Sequence, residues 1–436
     1  MVFSWYSIAA CLLAGLVVTL HYAQLVKSRA LPLPPGPTGH WFYGVKKMLP
    51  SKEPWKAYAS WSKKYNVPII SFRIYNRVVI VLNDAKSVSD LLERRANLYS
   101  DRPKQNFVGV IMKVAYGYTI DGLDDTFVNV AEETIKITDK TMANGSWLVD
   151  YYPIARYIPP FLPGGEFKRQ GKQWRERLKY LSDVPHQWVK EQIASGTYTE
   201  SFTSEFLTQD GAIIDHEQED IIQWCAGGLY VGASDTTVSA VTSFILLMAL
   251  YPEVQIRAQQ EIDEICGQDQ LPRTSQVEEL DYLQAVLKEV LRFAPVGNLA
   301  LPHRVIEEDI YNGYRIPKNA TVIGNVWAIL HDPSLYPEPD VFSPDRFINK
   351  ERMQPDPRQW AFGFGRRACP GTYFAETSIL LVMAGILARF KISLPTSQAP
   401  EDKGSKIPAI SFTTGITSHI GLFDIRIKLR SPPSER

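Results

Sequence analysis

Near the C-terminus the chain reads FGFGRRACPG, Phe362 to Gly371, a single cysteine among three glycines and two adjacent arginines. Cys369 could be a core thiol, a nucleophile, half of a disulfide or a metal ligand. The chain's four cysteines, Cys11, Cys225, Cys266 and Cys369, lie far apart with no CxxC pair, so neither a zinc site nor a disulfide framework is indicated. Cys11, in an apolar run, and Cys225, in a helix-like segment, read as core or lipid-facing thiols. Gly363, Gly365 and Ala368 satisfy the spacing of a dinucleotide loop, but that loop needs a preceding hydrophobic strand and an acid about 20 residues later. DPRQWAF is not such a strand, and no acid occurs between Glu376 and Glu401.

The residues after the cysteine are more informative. TYFAETSILLVMAGILARF has the pattern of a long helix, which puts the sulfur near the positive end of a helix dipole, where negative charge is favoured. Gly363 and Gly365 let the loop turn tightly beneath a flat ligand, and Arg366 and Arg367 offer counter-charges. With no second Cys or His nearby, a thiolate suits a metal that brings its other ligands with it, as haem does.

The elements that would position this loop are set by the rest of the chain. In 436 residues, 45% hydrophobic and 22% charged, there is material for a large core. Forty-seven basic residues balance forty-seven acidic ones, which removes any general attraction for nucleic acid. Residues 2–26 carry no acidic or basic side chain apart from His21 and are long enough to cross a bilayer, with Lys27 and Arg29 behind them. This predicts a single-span anchor over 1–26 and a cytosolic catalytic domain over 38–436. Between them, residues 27–37 form a hinge whose LPLPPGP, Leu31 to Pro37, reads as a stiff spacer.

A hairpin is expected around Tyr75-Asn76, flanked by β-branched runs. Beyond it the pattern is mostly helical, over Val88 to Leu98, Val128 to Lys140, Phe167 to Leu181, Pro252 to Cys266 and Tyr282 to Phe293, with short strands near Ile310 to Ile316 and Ile420 to Leu429. The fold class is mainly α with small β-sheets. A helix over Glu217 to Tyr251, apolar on most sides, should run through the centre. Its hydroxyl residues and Asp235 argue against a second membrane span.

Three motifs in order make the chain resemble the cytochrome P450 family of haem-thiolate monooxygenases, specifically its membrane-anchored fungal members. FxxGxRxCxG is present as Phe362, Gly365, Arg367, Cys369 and Gly371; KEVLR supplies ExxR as Glu289 and Arg292; FSPDRF supplies Pro344, Arg346 and Phe347. The resemblance implies that Cys369 is the axial ligand of haem iron, with Phe362 in the same cofactor loop. It implies that Glu289, Arg292 and Arg346 form a buried ion network, a tolerable arrangement for charges that are paired. GASDTT, Gly232 to Thr237, matches the family's acid-alcohol element, so Asp235 and Thr236 would supply protons to the oxygen being activated. On their own residues the alternative is a Thr that bonds back to its helix and an Asp that caps. Ala233 stands where that element usually has glycine. Arg367, then His303 or Arg304 in LPHR, would meet the haem propionates.

The resemblance further implies O2 as co-substrate and NADPH electrons from a separate membrane-bound reductase, since no flavin or nicotinamide motif is present. The expected setting is the endoplasmic reticulum membrane, and the expected substrate an apolar small molecule such as a terpenoid or other secondary metabolite. The segments lining its pocket would be Leu229 to Ala233, Val296 to Leu301 and Ile416 to His419. One stretch departs from the family: between DRPKQ (Asp101 to Gln105) and IMKVAYGYTI (Ile111 to Ile120) several tens of residues are absent, including a helix with a WxxxR-type pair. Trp174-Arg175 belongs to a later helix and does not replace it. An O2-independent isomerase or dehydratase, or a shortened form unable to retain haem, are the alternatives.

Overall fold

The computed structural model describes residues 31–50, 52–75, 77–95, 152–208, 215–268, 270–348, 353–395, 410–421 and 423–430, with Tyr116, Tyr118, Thr134, Ile137, Trp147 and Val149. The expected anchor, the helix over Val128 to Lys140 apart from Thr134 and Ile137, and the junction at Gln105 to Ile111 lie outside these residues.

Six helices longer than two turns organise the described residues: α1 (Pro54–Tyr65), α2 (Glu166–Ser195), α3 (His216–Leu250), α4 (Pro252–Cys266), α5 (Asp281–Phe293) and α6 (Thr372–Arg389). The hairpin forms as expected, with β1 (Ile69–Ile74) antiparallel to β2 (Arg77–Leu82) and Tyr75 at the turn with φ +51°. β2 then pairs in parallel with β6 (Thr321–Gly324), which carries β3 (His303–Arg304) on its far edge. Two two-stranded sheets, β4 (Asp309–Tyr311) with β5 (Tyr314–Ile316) and β7 (Phe390–Ser393) with β8 (Arg426–Leu429), complete a mainly helical fold. Of the helix expected over Val88 to Leu98, the described part is a short helix at Ala85–Val88 continuing as a π-turn over Ser89–Glu93, after which Arg94 and Arg95 turn; residues 96–98 lie outside the described residues.

The periodicity of α5 explains its place. Its apolar residues Leu283, Val286, Leu287, Val290 and Leu291 recur at helical spacing as one face, and the paired charges Glu289 and Arg292 extend the burial beyond that face. α3, α4, α5 and α6 share one core containing Phe244, Leu247, Ile262, Leu283, Val286, Met383 and Leu387. Gln255 of α4 closes this core with polar bonds, donating to the carbonyls of Met248 (2.9 Å) and Ile392 (2.8 Å) and accepting from the Ile392 amide (2.8 Å). Such pairing makes a buried amide tolerable. α6 is the one helix among the described residues long and apolar enough to cross a membrane; 22% of it is buried, and Ile379, Met383 and Leu387 pack it against this core.

The Leu31 to Pro37 stretch, expected to be a stiff spacer, is docked on the domain. Pro34 and Pro37 are buried, and the segment lies along β1 and near β5. Pro lacks an N–H but keeps its acceptor, and these acceptors are used: Ser71 donates to Pro34 (2.6 Å) and Pro35 (3.1 Å), and the Arg315 amide to Pro32 (2.8 Å). Gly36 is required there, since an added Cβ would lie 1.8 Å from the Ser71 carbonyl oxygen.

Candidate active site

The cysteine loop is fixed by its backbone. Gly363 (φ +84°) and Gly365 (φ +54°) occupy the left-handed region that glycine tolerates. The Cys369 amide then donates to the Phe362 carbonyl (2.7 Å), which closes the loop. Phe362 packs against the helical core, and Phe364, buried, is fitted against β6, where a Cβ on Gly324 would approach its ring to 3.0 Å. Thr372 donates to the Cys369 carbonyl (2.9 Å) at the first turn of α6. On the other flank Arg358 holds Asp356 and reaches Glu376 of α6 (2.8 Å), so the loop is tied to the helix that succeeds it. The Cys369 thiol is left exposed.

The frame behind the loop is an ion network with almost no solvent. Glu289 and Arg292 of α5, both with 0% of the side chain exposed, form a two-pronged pair at 2.7 and 2.9 Å. Arg346 adds a third contact to Glu289 (3.3 Å), and the Ser343 amide a fourth (2.8 Å). The remaining guanidinium donors find carbonyls: Arg292 bonds Leu330 and Val341, and Arg346 bonds Pro337, Glu338 and Val341. A buried ion pair survives only when its spare donors and acceptors are satisfied in this way. His331, at the end of the neighbouring short helix, stacks on Trp327 (4.5 Å), and burial together with the Arg292 charge holds its pKa down at about 3.

On the opposite side, α3 runs unbroken from His216 to Leu250 and carries Asp235 and Thr236. Thr236 donates to the Gly232 carbonyl one turn back (2.5 Å), the back-bonding geometry anticipated as the alternative. Asp235 does not cap anything: its Oδ1 lies 3.0 Å from His419 Nε2. Burial opposes ionisation of this carboxyl, but hydrogen bonds from His419 and Thr417 and the imidazole charge hold its pKa below the ordinary carboxylate value. This partnership links residues remote in sequence, and no sequence signal announces it beyond the placing of Ile416 to His419 along the pocket. Ser239, one turn after Asp235, donates to the Ser418 carbonyl (2.6 Å), and the Ser418 amide donates to Val296 (2.8 Å). Two of the expected pocket segments are thereby joined to each other and to α3.

Of the expected propionate partners, Arg367 is exposed beside Cys369, His303 is buried on β3 and Arg304 is half-buried next to it. Asn298, 2% exposed in the Val296 to Leu301 segment, has neither carboxamide atom paired. A buried donor and acceptor left in this state mark a place where a further polar group is wanted.

The residues fit a cofactor that carries its own equatorial ligands. Cys369 is a solitary exposed thiol on a rigid loop, and no group of three or more His, Cys, Asp or Glu suited to a bare metal ion occurs among the described residues. Comparison with known proteins agrees. The cytochrome P450 family model matches residues 105–417. Cytochrome P450 monooxygenase claR of Ampulloclitocybe clavipes is 33% identical, over 96% of this chain and 90% of that protein. Cytochrome P450 monooxygenase 208 of Postia placenta is 33% identical over 98% and 96%, and the tryptamine 4-monooxygenase of Psilocybe cyanescens 31% identical over 96% and 98%. The chain belongs to the cytochrome P450 family. It is a monooxygenase by class, and haem and O2 are the cofactor and co-substrate that membership implies. The alignment to claR runs over 493 positions, more than the 436 residues present here, so that relative carries residues this chain lacks.

Proposed function

We propose that this chain inserts one oxygen atom from O2 into an apolar small molecule, a terpenoid or similar secondary metabolite, with NADPH electrons delivered by a separate membrane-bound reductase. Its N-terminal 26 residues would hold it on the cytosolic face of the endoplasmic reticulum. The observation that carries the reading is the Cys369 thiol, held outward at the start of α6 by a loop closed on Phe362 and backed by the Glu289–Arg292–Arg346 network.

Haem, when bound, supplies activation of O2 that a thiolate ligand promotes. Every other task falls to side chains of the chain. Cys369 would hold the metal, with Phe362 in the same loop; Arg367, His303 and Arg304 would neutralise the propionates; the buried network would keep the loop and α5 in fixed relation. Asp235 and Thr236 would hold and move protons on the distal side, a role for which a carboxylate and a hydroxyl on one helical turn are chemically suited.

The relative named for tryptamine raises an aromatic amine as a second substrate class. An ammonium in the pocket would need a free carboxylate, and Asp235 is already engaged by His419 and Thr417, which favours a neutral apolar substrate. The test is incubation of microsomes containing this chain and a fungal reductase with a panel of terpenoids. A product heavier by one oxygen, formed only with NADPH and O2, is expected. Conversion that proceeds without NADPH would establish an isomerase or dehydratase instead.

A further inference from the structure

The loop over Phe412 to Ile420 is closed on itself and seated at two points on α3. Phe412 and Ile420 form an antiparallel bridge, the Thr413 amide donates to the His419 carbonyl (2.7 Å), and the His419 amide returns a bond to the Thr413 hydroxyl (2.9 Å). Ser239 grips the loop through the Ser418 carbonyl, and one turn earlier on the same face Asp235 meets the His419 ring. The imidazole is thus presented from a braced backbone and not from a freely moving tail. Its side chain is 30% exposed and that of Asp235 17%, so the pair runs from the solvent edge toward the helix.

The geometry points to His419 as the positioning residue of the distal acid: its Nε2–H fixes the Asp235 carboxylate and connects it to solvent. This rests on the reading that Asp235 serves as the distal proton-handling group. Among the described residues, the His419 imidazole and the Thr417 hydroxyl are the groups that hold the Asp235 pKa down. Without the imidazole, the Thr417 hydroxyl alone would oppose burial, and the balance would move toward the neutral carboxyl. A protonated imidazole can also pass its Nε2 proton to Oδ1, leaving neutral imidazole and neutral carboxylic acid. Charge and protons balance in that step: the ring keeps its Nδ1–H with the open Nε2 toward the carboxyl, and Nε2 is recharged by a hydronium ion that leaves as water.

The test is an infrared titration of the intact protein labelled with carbonyl-13C aspartate, the Asp235 band being the one absent from D235N. In H419F the protonation midpoint of Asp235 should move up. In H419Q, whose amide still donates a hydrogen bond, it should return part of the way. S239A loosens the same loop through Ser418 and should leave the midpoint where it is in the unmodified chain. An unchanged midpoint in H419F overturns the proposal, and so does a shift in S239A as large as that in H419F, because loop packing would then account for it. The titration does not need haem. A chain that lacks the red-shifted carbon monoxide band fails the monooxygenase reading, while the infrared result still decides the role of His419.

Discussion

The two sides of the site are built on opposite principles. Behind Cys369, three charged side chains are withdrawn from water and every spare donor is bonded, with Glu289 and Arg292 fully buried. On the α3 side Ser239 and Ser418 are buried, but Asp235 and His419 keep 17% and 30% of their side chains exposed, and apolar side chains are left open: Leu229 at 45% and Val238 at 56% exposed. The N-terminal turn of α6 likewise exposes Tyr373 at 74% and Phe374 at 45%. A frame that must hold one geometry can be sealed, whereas faces that, on the proposed function, would meet cofactor and substrate cannot. Burial is concentrated where geometry must not change, and this orders the effects expected from perturbation.

Breaking the sealed frame should cost most. Glu289→Ala would leave Arg292 and Arg346 buried without their carboxylate, a loss of about 3–5 kcal/mol for an orphaned buried charge. A melting experiment on purified protein should show that variant strongly destabilised, and Arg292→Ala similarly so. Acid should act next, again through the frame first. His331, held at about pKa 3 by burial and Arg292, stays neutral in the folded chain while the unfolded chain takes up its proton below about pH 6.5. Stability from this residue is present above pH 6.5 and lost as pH falls toward 3. His186, also held below its ordinary value by burial, adds to the same loss.

Below about pH 4 the carboxylates Asp90, Glu219, Asp235 and Asp356, all held below their ordinary values, lose their share as pH falls through their folded values. Unfolding followed by denaturant at several pH values checks this, and His331→Phe should reduce the loss that begins near pH 6.5 to the share of His186. The smallest effect belongs to the open side. Ser239→Ala deletes one neutral hydrogen bond to the Ser418 carbonyl, about 0.5–1.5 kcal/mol, and should raise amide exchange over Thr413 to Gly421 without altering exchange in α5.

The same contrast decides what could be read from sequence. The Glu289–Arg292–Arg346 network was legible because pairing of buried charges fixes each residue type and the spacing within a helix or loop fixes the rest. The limits of α4 and α5 were legible too, since Pro252 starts one helix and apolar periodicity carries the other. The docking of Leu31 to Pro37 was not, because proline advertises stiffness and says nothing about where its carbonyls will bond. Nor was the Asp235–His419 pair, which exists only once the 412–420 loop has closed and seated on α3. Thr236 was ambiguous in sequence, and its bond to Gly232 shows a hydroxyl satisfied by its own helix at rest.

Everything proposed for this chain depends on the described frame sufficing to hold haem on Cys369, although relatives carry residues that this chain lacks. The most direct measurement is the reduced carbon monoxide difference spectrum of freshly prepared membranes containing the 436-residue chain, beside its Cys369→Ala variant. The red-shifted thiolate band is expected in the first and its loss in the second. Absence of that band in the unmodified chain, with the protein present and folded, would contradict the sufficiency of the frame.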